Sequence, residues 1–113
     1  IARRLVFPVS VQLPMGISER LTNHRLARCS ATLRELREDL RVTREQFDAI
    51  SDDAADAELR AIVSETPSAE ALHRESHAHC LALSRHLRHL ETKIADLEHE
   101  QDVLLDRLGR GKF

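Results

Sequence analysis

The chain has no Trp and no Tyr, three Phe, three Gly and three Pro among 113 residues. So few turn formers exclude a fold built from many short elements, and so few aromatics exclude a thick globular core. Cysteine is scarce as well. Cys29 and Cys80 alone cannot make a disulfide scaffold and suit a reducing cytosol, the expected location. Neither sign of charge dominates: 17 basic against 19 acidic residues give a net −2, so there is no overall electrostatic case for nucleic acid. The longest apolar run, LVFPVSVQLPMG, is too short and too proline-broken to cross a membrane. It follows Arg3 and Arg4, but no small-residue cleavage site follows it as a signal peptide requires. A glycine-rich phosphate loop is missing, and nothing rigid places a Ser, a His and an acid together. No enzyme is expected, and no cofactor.

What is present is Leu, Ala, Arg and Glu, the composition of long helices and coiled coil. Residues 1–16 read as an extended arm, because Pro8 and Pro14 break a helix and Val6, Phe7, Val9 and Val11 favour strand-like backbone. Met15 in MGISERL offers a start, which would make residues 1–14 upstream or appended sequence. From residue 17 the pattern becomes helical, and a seven-residue repeat runs unbroken from 26 to 64. Its a positions are Leu26, Leu33, Leu40, Phe47, Ala54 and Ala61, and its d positions Cys29, Leu36, Thr43, Ile50, Ala57 and Ser64. The repeat crosses Ser51 without a phase change, so one helix is expected there, with a weak point at that serine.

SETPSAE then interrupts the pattern, with Thr66 as N-cap and Pro67 in the first helical position. A second repeat follows. Its a positions are His73, Cys80, Leu87, Ile94, Gln101 and Leu108, and its d positions Ser76, Leu83, Leu90, Leu97 and Leu104. It stops at Gly109, before a polar tail of residues 110–113. Two helices of about 40 residues with so short a turn, near residues 64–67, fold back antiparallel. The expected fold is therefore all-α, a long two-helix coiled-coil hairpin over residues 17–109 that dimerises into a four-helix bundle. Facing positions then sum to about 130. This sets Leu33 against Leu97, Leu36 against Ile94, Leu40 against Leu90, Phe47 against Leu83 and Ile50 against Cys80. On the flanks it sets Asp39 beside Lys93, Arg37 beside Glu91 and Arg25 beside Arg107.

LHRESHAHC, residues 72–80, is the one stretch resembling a metal site. His73 and His77 have the i, i+4 spacing of helical zinc ligands, with Cys80 one turn further on. HExxH is absent, however, and the small residue Ala57 opposite His73 leaves room for an imidazole without a metal. No metal is expected; His73, His77 and Cys80 are the residues that would hold one. His24, His86, His89 and His99 fall on outer or flanking positions as solvated side chains.

Residues 24–44 hold six arginines, interrupted by Glu35, Glu38 and Asp39 and without an aromatic to stack a base. A solvated, salt-bridged face is the expectation and nucleic acid is not. LRAIVSETP (59–67) and LEHEQDVLLDRL (97–108) resemble a group of small, uncharacterised actinobacterial helical-hairpin proteins, over roughly residues 17–108. That resemblance implies the hairpin and carries no activity or ligand. The hairpin anti-sigma factors that bind cyclic di-GMP are similar in architecture only, since no serine here has the glutamate four residues earlier that their signature requires.

Apolar residues remain off the seam: Val42, Leu72, Leu81, Val103 and Leu105, which a second subunit would cover. Leu59, Ile62, Val63 and Leu72 cluster near the turn, where the seam is thin, and are the candidate partner-binding residues. The expected function is a non-enzymatic adaptor or scaffold that self-associates and docks a protein. The alternative is a transcription-associated regulator that binds RNA polymerase, a sigma factor or DNA.

Overall fold

The computed structural model describes the backbone of residues 2–111 and the side chains of residues 16–110. Helix α1 runs from Ala2 to Ser64 and helix α2 from Pro67 to Gly111. There is no strand among the described residues, and the chain is a helical hairpin. No described helix is long and apolar enough to cross a membrane.

The turn is two residues long. Glu65 adopts φ 51° and its N–H donates to the Ala61 carbonyl at 3.1 Å, which ends α1 in a left-handed cap. Thr66 then starts α2. Its hydroxyl accepts from the Ala69 N–H at 3.2 Å, and its carbonyl from the Glu70 N–H at 3.0 Å. Pro67 occupies the first helical position, where its missing N–H costs nothing. Thr66→Ala is expected to destabilise by about 1 kcal/mol, and Glu65→Gly to stabilise by a similar ~1 kcal/mol by removing the side-chain clash of the left-handed conformation. Urea titrations of the two variants check both signs.

Two compact units divide the chain, residues 1–34 with 95–113 and residues 35–94. In each, α1 and α2 meet along the seam read from the heptads. Every a and d position from Leu26 to Ala61, and from His73 to Leu108, is buried or half-buried. Leu33 and Leu104, at 0 % and 1 % exposure, are buried in the first unit, and Leu90 and Ile94 in the second. Ser64, the last expected seam residue, is exposed.

One polar contact in each unit fixes the register. Gln101 Nε2 donates to Ser30 Oγ at 3.1 Å in the first, and Ser51 Oγ meets Cys80 Sγ at 3.8 Å in the second. Both pairs fall within one residue of the expected sum of about 130, and in each an e-position hydroxyl reaches an a-position side chain of the facing helix. Thr43, buried on the seam, turns its hydroxyl to Asp39 Oδ1 of its own helix at 3.5 Å.

Three expectations need correction. The segment read as an extended arm is helical backbone from Ala2 onward. A proline removes one backbone hydrogen bond and crowds the preceding turn at a cost of about 3 kcal/mol, which bends or weakens a helix without forbidding it; the side chains of residues 1–15 lie outside the described set. Helix α2 passes Gly109 and reaches Gly111, because Gly109 has no positive φ and so supplies no left-handed stop; residues 112 and 113 of the expected tail lie outside the described residues. Helix α1 does run unbroken through Ser51, as the uninterrupted repeat led one to expect, and the Ser51 hydroxyl meets Cys80 Sγ.

The flank pairs are also displaced. Asp39 faces His86 at 3.9 Å where Lys93 was expected, Glu91 pairs with Arg44 at 3.8 Å, and Arg25 with Glu100 at 3.2 Å, not Arg107. Like flank still meets like flank, g with g and e with e. Each such position has two candidates one heptad apart, and the heptad letter alone does not select between them.

Candidate functional site

The turn-containing unit holds both clusters singled out in the sequence. Around His73 the seam is built from Ala54, Ala57, Ala61 and Ser76, and Ala57 is buried. His73 and His77 stack loosely, with ring centroids 6.2 Å apart and planes tilted by 40°. His73 Nδ1 is buried and accepts no hydrogen bond. Cys80 does not join them, since its sulfur is turned to Ser51. Among the described residues, no three His, Cys, Asp or Glu side chains stand where they would share a metal ion. His73, His77 and Cys80 thus occupy one helical stripe without converging.

Small seam residues also leave a cleft of about 290 Å3, lined by Asp53, Asp56, Ala57, Arg60, Leu72 and Ser76. Arg60 donates to Asp56 at 3.3 Å within it. Beside the turn, α1 presents Leu59, Ile62 and Val63 to solvent at 62 %, 64 % and 82 % exposure. Their i, i+3, i+4 spacing places them on one stripe, facing away from the Ala seam. Leu72 is exposed on α2 in the same unit. Residues 59, 62, 63 and 72 are therefore all accessible. Leu72 borders the cleft that holds Asp56 and Arg60, while the Leu59, Ile62 and Val63 stripe offers apolar area for burial.

In the other unit a cleft of about 280 Å3 is lined by His24, Arg25, Arg28, Cys29, Thr32, Leu97 and Glu100. Cys29 is buried, and burial, with a smaller contribution from the Glu100 carboxylate, pushes its thiol above the ordinary value. The protonated sulfur donates to the Leu97 carbonyl at 3.2 Å. This is a packed, inert thiol. Both cysteines are free.

Three of the six arginines in residues 24–44 are paired with carboxylates. Arg41 donates to Glu38 at 2.6 and 3.0 Å and to Glu45 at 2.9 Å; the first of these hydrogen bonds holds the Glu38 carboxyl below the usual carboxylate range. Arg25 and Arg44 are taken up by Glu100 and Glu91.

Two apolar residues escaped the sequence reading. Ile17 and Leu21 are exposed on α1, and carrying the heptad letters back to residue 17 puts them at the outer f and c positions. Val42, expected to be wet, is half-buried. Leu81, Val103 and Leu105 are exposed as expected. No protein-family description, curated protein or solved structure matches the chain.

Proposed function

We propose that the chain is a non-enzymatic coiled-coil adaptor that self-associates and docks a protein partner through the turn-end surface. The observation that carries this reading is the exposed stripe of Leu59, Ile62 and Val63. A hairpin gains nothing from three large apolar residues facing water, whereas a docking face does. The free cysteines, one of them buried, accord with work in a reducing cytosol.

The transcription-regulator reading draws on the arginine face. Arg25, Arg41 and Arg44, half of the six arginines of that face, are already paired with carboxylates, which lowers what the face offers to phosphate. The adaptor reading is preferred.

Its test compares wild type with a Leu59→Asp/Ile62→Asp double variant. Circular dichroism reports folding, while partner capture from the native cell and molar mass in solution report docking. The adaptor reading requires a folded variant that has lost capture or self-association. A folded variant unchanged in both would remove the reading.

A further inference from the structure

The turn-end stripe has a charged rim as well as an apolar centre. On a helix surface the neighbours of a residue stand three and four positions away. By that spacing Glu58, and Glu65 one residue beyond the end of α1, lie along one edge of the stripe beside Ile62. Asp56 and Arg60 lie along the other edge, next to Leu59 and Val63, and Asp52 stands one heptad before Leu59. All five side chains are exposed. Arg60 is held by Asp56 at 3.3 Å, so that edge is neutral. The Glu58 and Glu65 carboxylates stand without a basic partner among the described residues. Glu70, exposed at an e position of α2, adds a third acid on the flank of Glu58.

We propose that the partner seated on this stripe is an amphipathic helix of another protein, its apolar face flanked by lysine or arginine. This rests on the adaptor reading and gives the docked protein its chemistry. A helix is required because α1 has no strand edge to offer, so whatever buries area against it must satisfy its own backbone groups. Basic flanks are required because a chain covering Ile62 also takes water from Glu58 and Glu65, and only opposite charge compensates them.

The same rim disfavours the other occupants. A second copy set stripe to stripe brings to Glu58 and Glu65 either the same two carboxylates or an Arg60 already held by Asp56. Helices that lie on anionic membranes carry Lys and Arg beside their apolar face, and nucleic acid asks for the same signs. Here four carboxylates surround the stripe against one guanidinium.

The test uses two synthetic probes, an amphipathic helix with a leucine stripe and lysine on both flanks, and its counterpart with glutamate for lysine. Each is titrated calorimetrically into the full chain at low ionic strength, with circular dichroism as the folding control. The wild type is expected to bind the lysine probe at least about tenfold more tightly than the glutamate probe. Glu58→Lys with Glu65→Lys is expected to invert that preference; if that variant loses helicity, Glu58→Gln with Glu65→Gln is expected to level it. Leu59→Ser with Ile62→Ser, which removes apolar area without adding charge, should weaken the lysine probe by at least about tenfold.

A wild type that binds both probes equally, or neither, would overturn the basic helix. So would a preference that survives the charge changes, or a serine variant that binds as tightly as wild type. Each of these leaves the adaptor reading standing wherever Leu59→Asp/Ile62→Asp still abolishes capture. Sedimentation in which the serine variant alone turns a dimer into a monomer would give the stripe to a second copy and overturn the basic helix as well.

Discussion

Leu33→Ala and Leu90→Ala are each expected to cost about 2–5 kcal/mol, the range for a leucine removed from a packed interior. Leu33 is wholly buried and Leu90 nearly so, and each lies in a different unit. A seam only two helices wide has few neighbours able to close over a lost isobutyl group, so most of the cavity persists. Leu40, Leu36 and Leu97 are only half-buried and should cost less. His24→Ala and His99→Ala, both exposed at outer positions, should stay within about 0.5 kcal/mol. Urea unfolding followed by circular dichroism at fixed protein concentration separates the two classes, since a self-associating protein has a concentration-dependent midpoint. Equal responses from both classes would contradict the seam.

The second large effect is at the turn. Burying Leu59, Ile62 and Val63 together would contribute on the order of 5–8 kcal/mol before the costs of association. Leu59→Asp with Ile62→Asp removes most of that area and puts two carboxylates into surroundings already rich in acid. Weakening of self-association or docking by at least about a hundredfold is expected, from a loss of roughly 3 kcal/mol or more. The fold should survive, because both residues are exposed and the nearest seam positions, Ala57 and Ala61, are untouched. Sedimentation and circular dichroism on the same samples distinguish a lost interface from a lost helix.

These expectations could be framed because the seam was readable. A repeat carried by Leu and Ala at a and d needs no outside information, and each of its positions from 26 to 61 and from 73 to 108 avoids full exposure. Thr66 and Pro67 marked the start of α2 for an equally local reason, an N-cap hydroxyl followed by a residue without an N–H. The stop of α1 carried no such signal: Glu65 takes the left-handed conformation usually given to Gly or Asn.

The flank pairs were beyond the pattern because heptad letters name a flank and not a partner. His86 and Lys93 are equivalent by letter, and nothing in the letters says that Asp39 faces His86. The N-terminal segment was misread by treating each proline as a barrier and not as a finite cost. Of the turn-end surface, Leu59, Ile62, Val63 and Leu72 were legible because large apolar side chains at b, c, f and g positions contradict a solvated hairpin. Ile17 and Leu21 were not, because the repeat was followed back only as far as Leu26.

The molar mass of the unmodified chain, measured by light scattering across micromolar concentrations, tests the account most directly. A hairpin whose outer apolar residues belong to an interface should give twice 12.9 kDa. A mass of 12.9 kDa throughout would mean that Leu59, Ile62, Val63, Ile17 and Leu21 remain in water, and self-association would fail as an explanation for them.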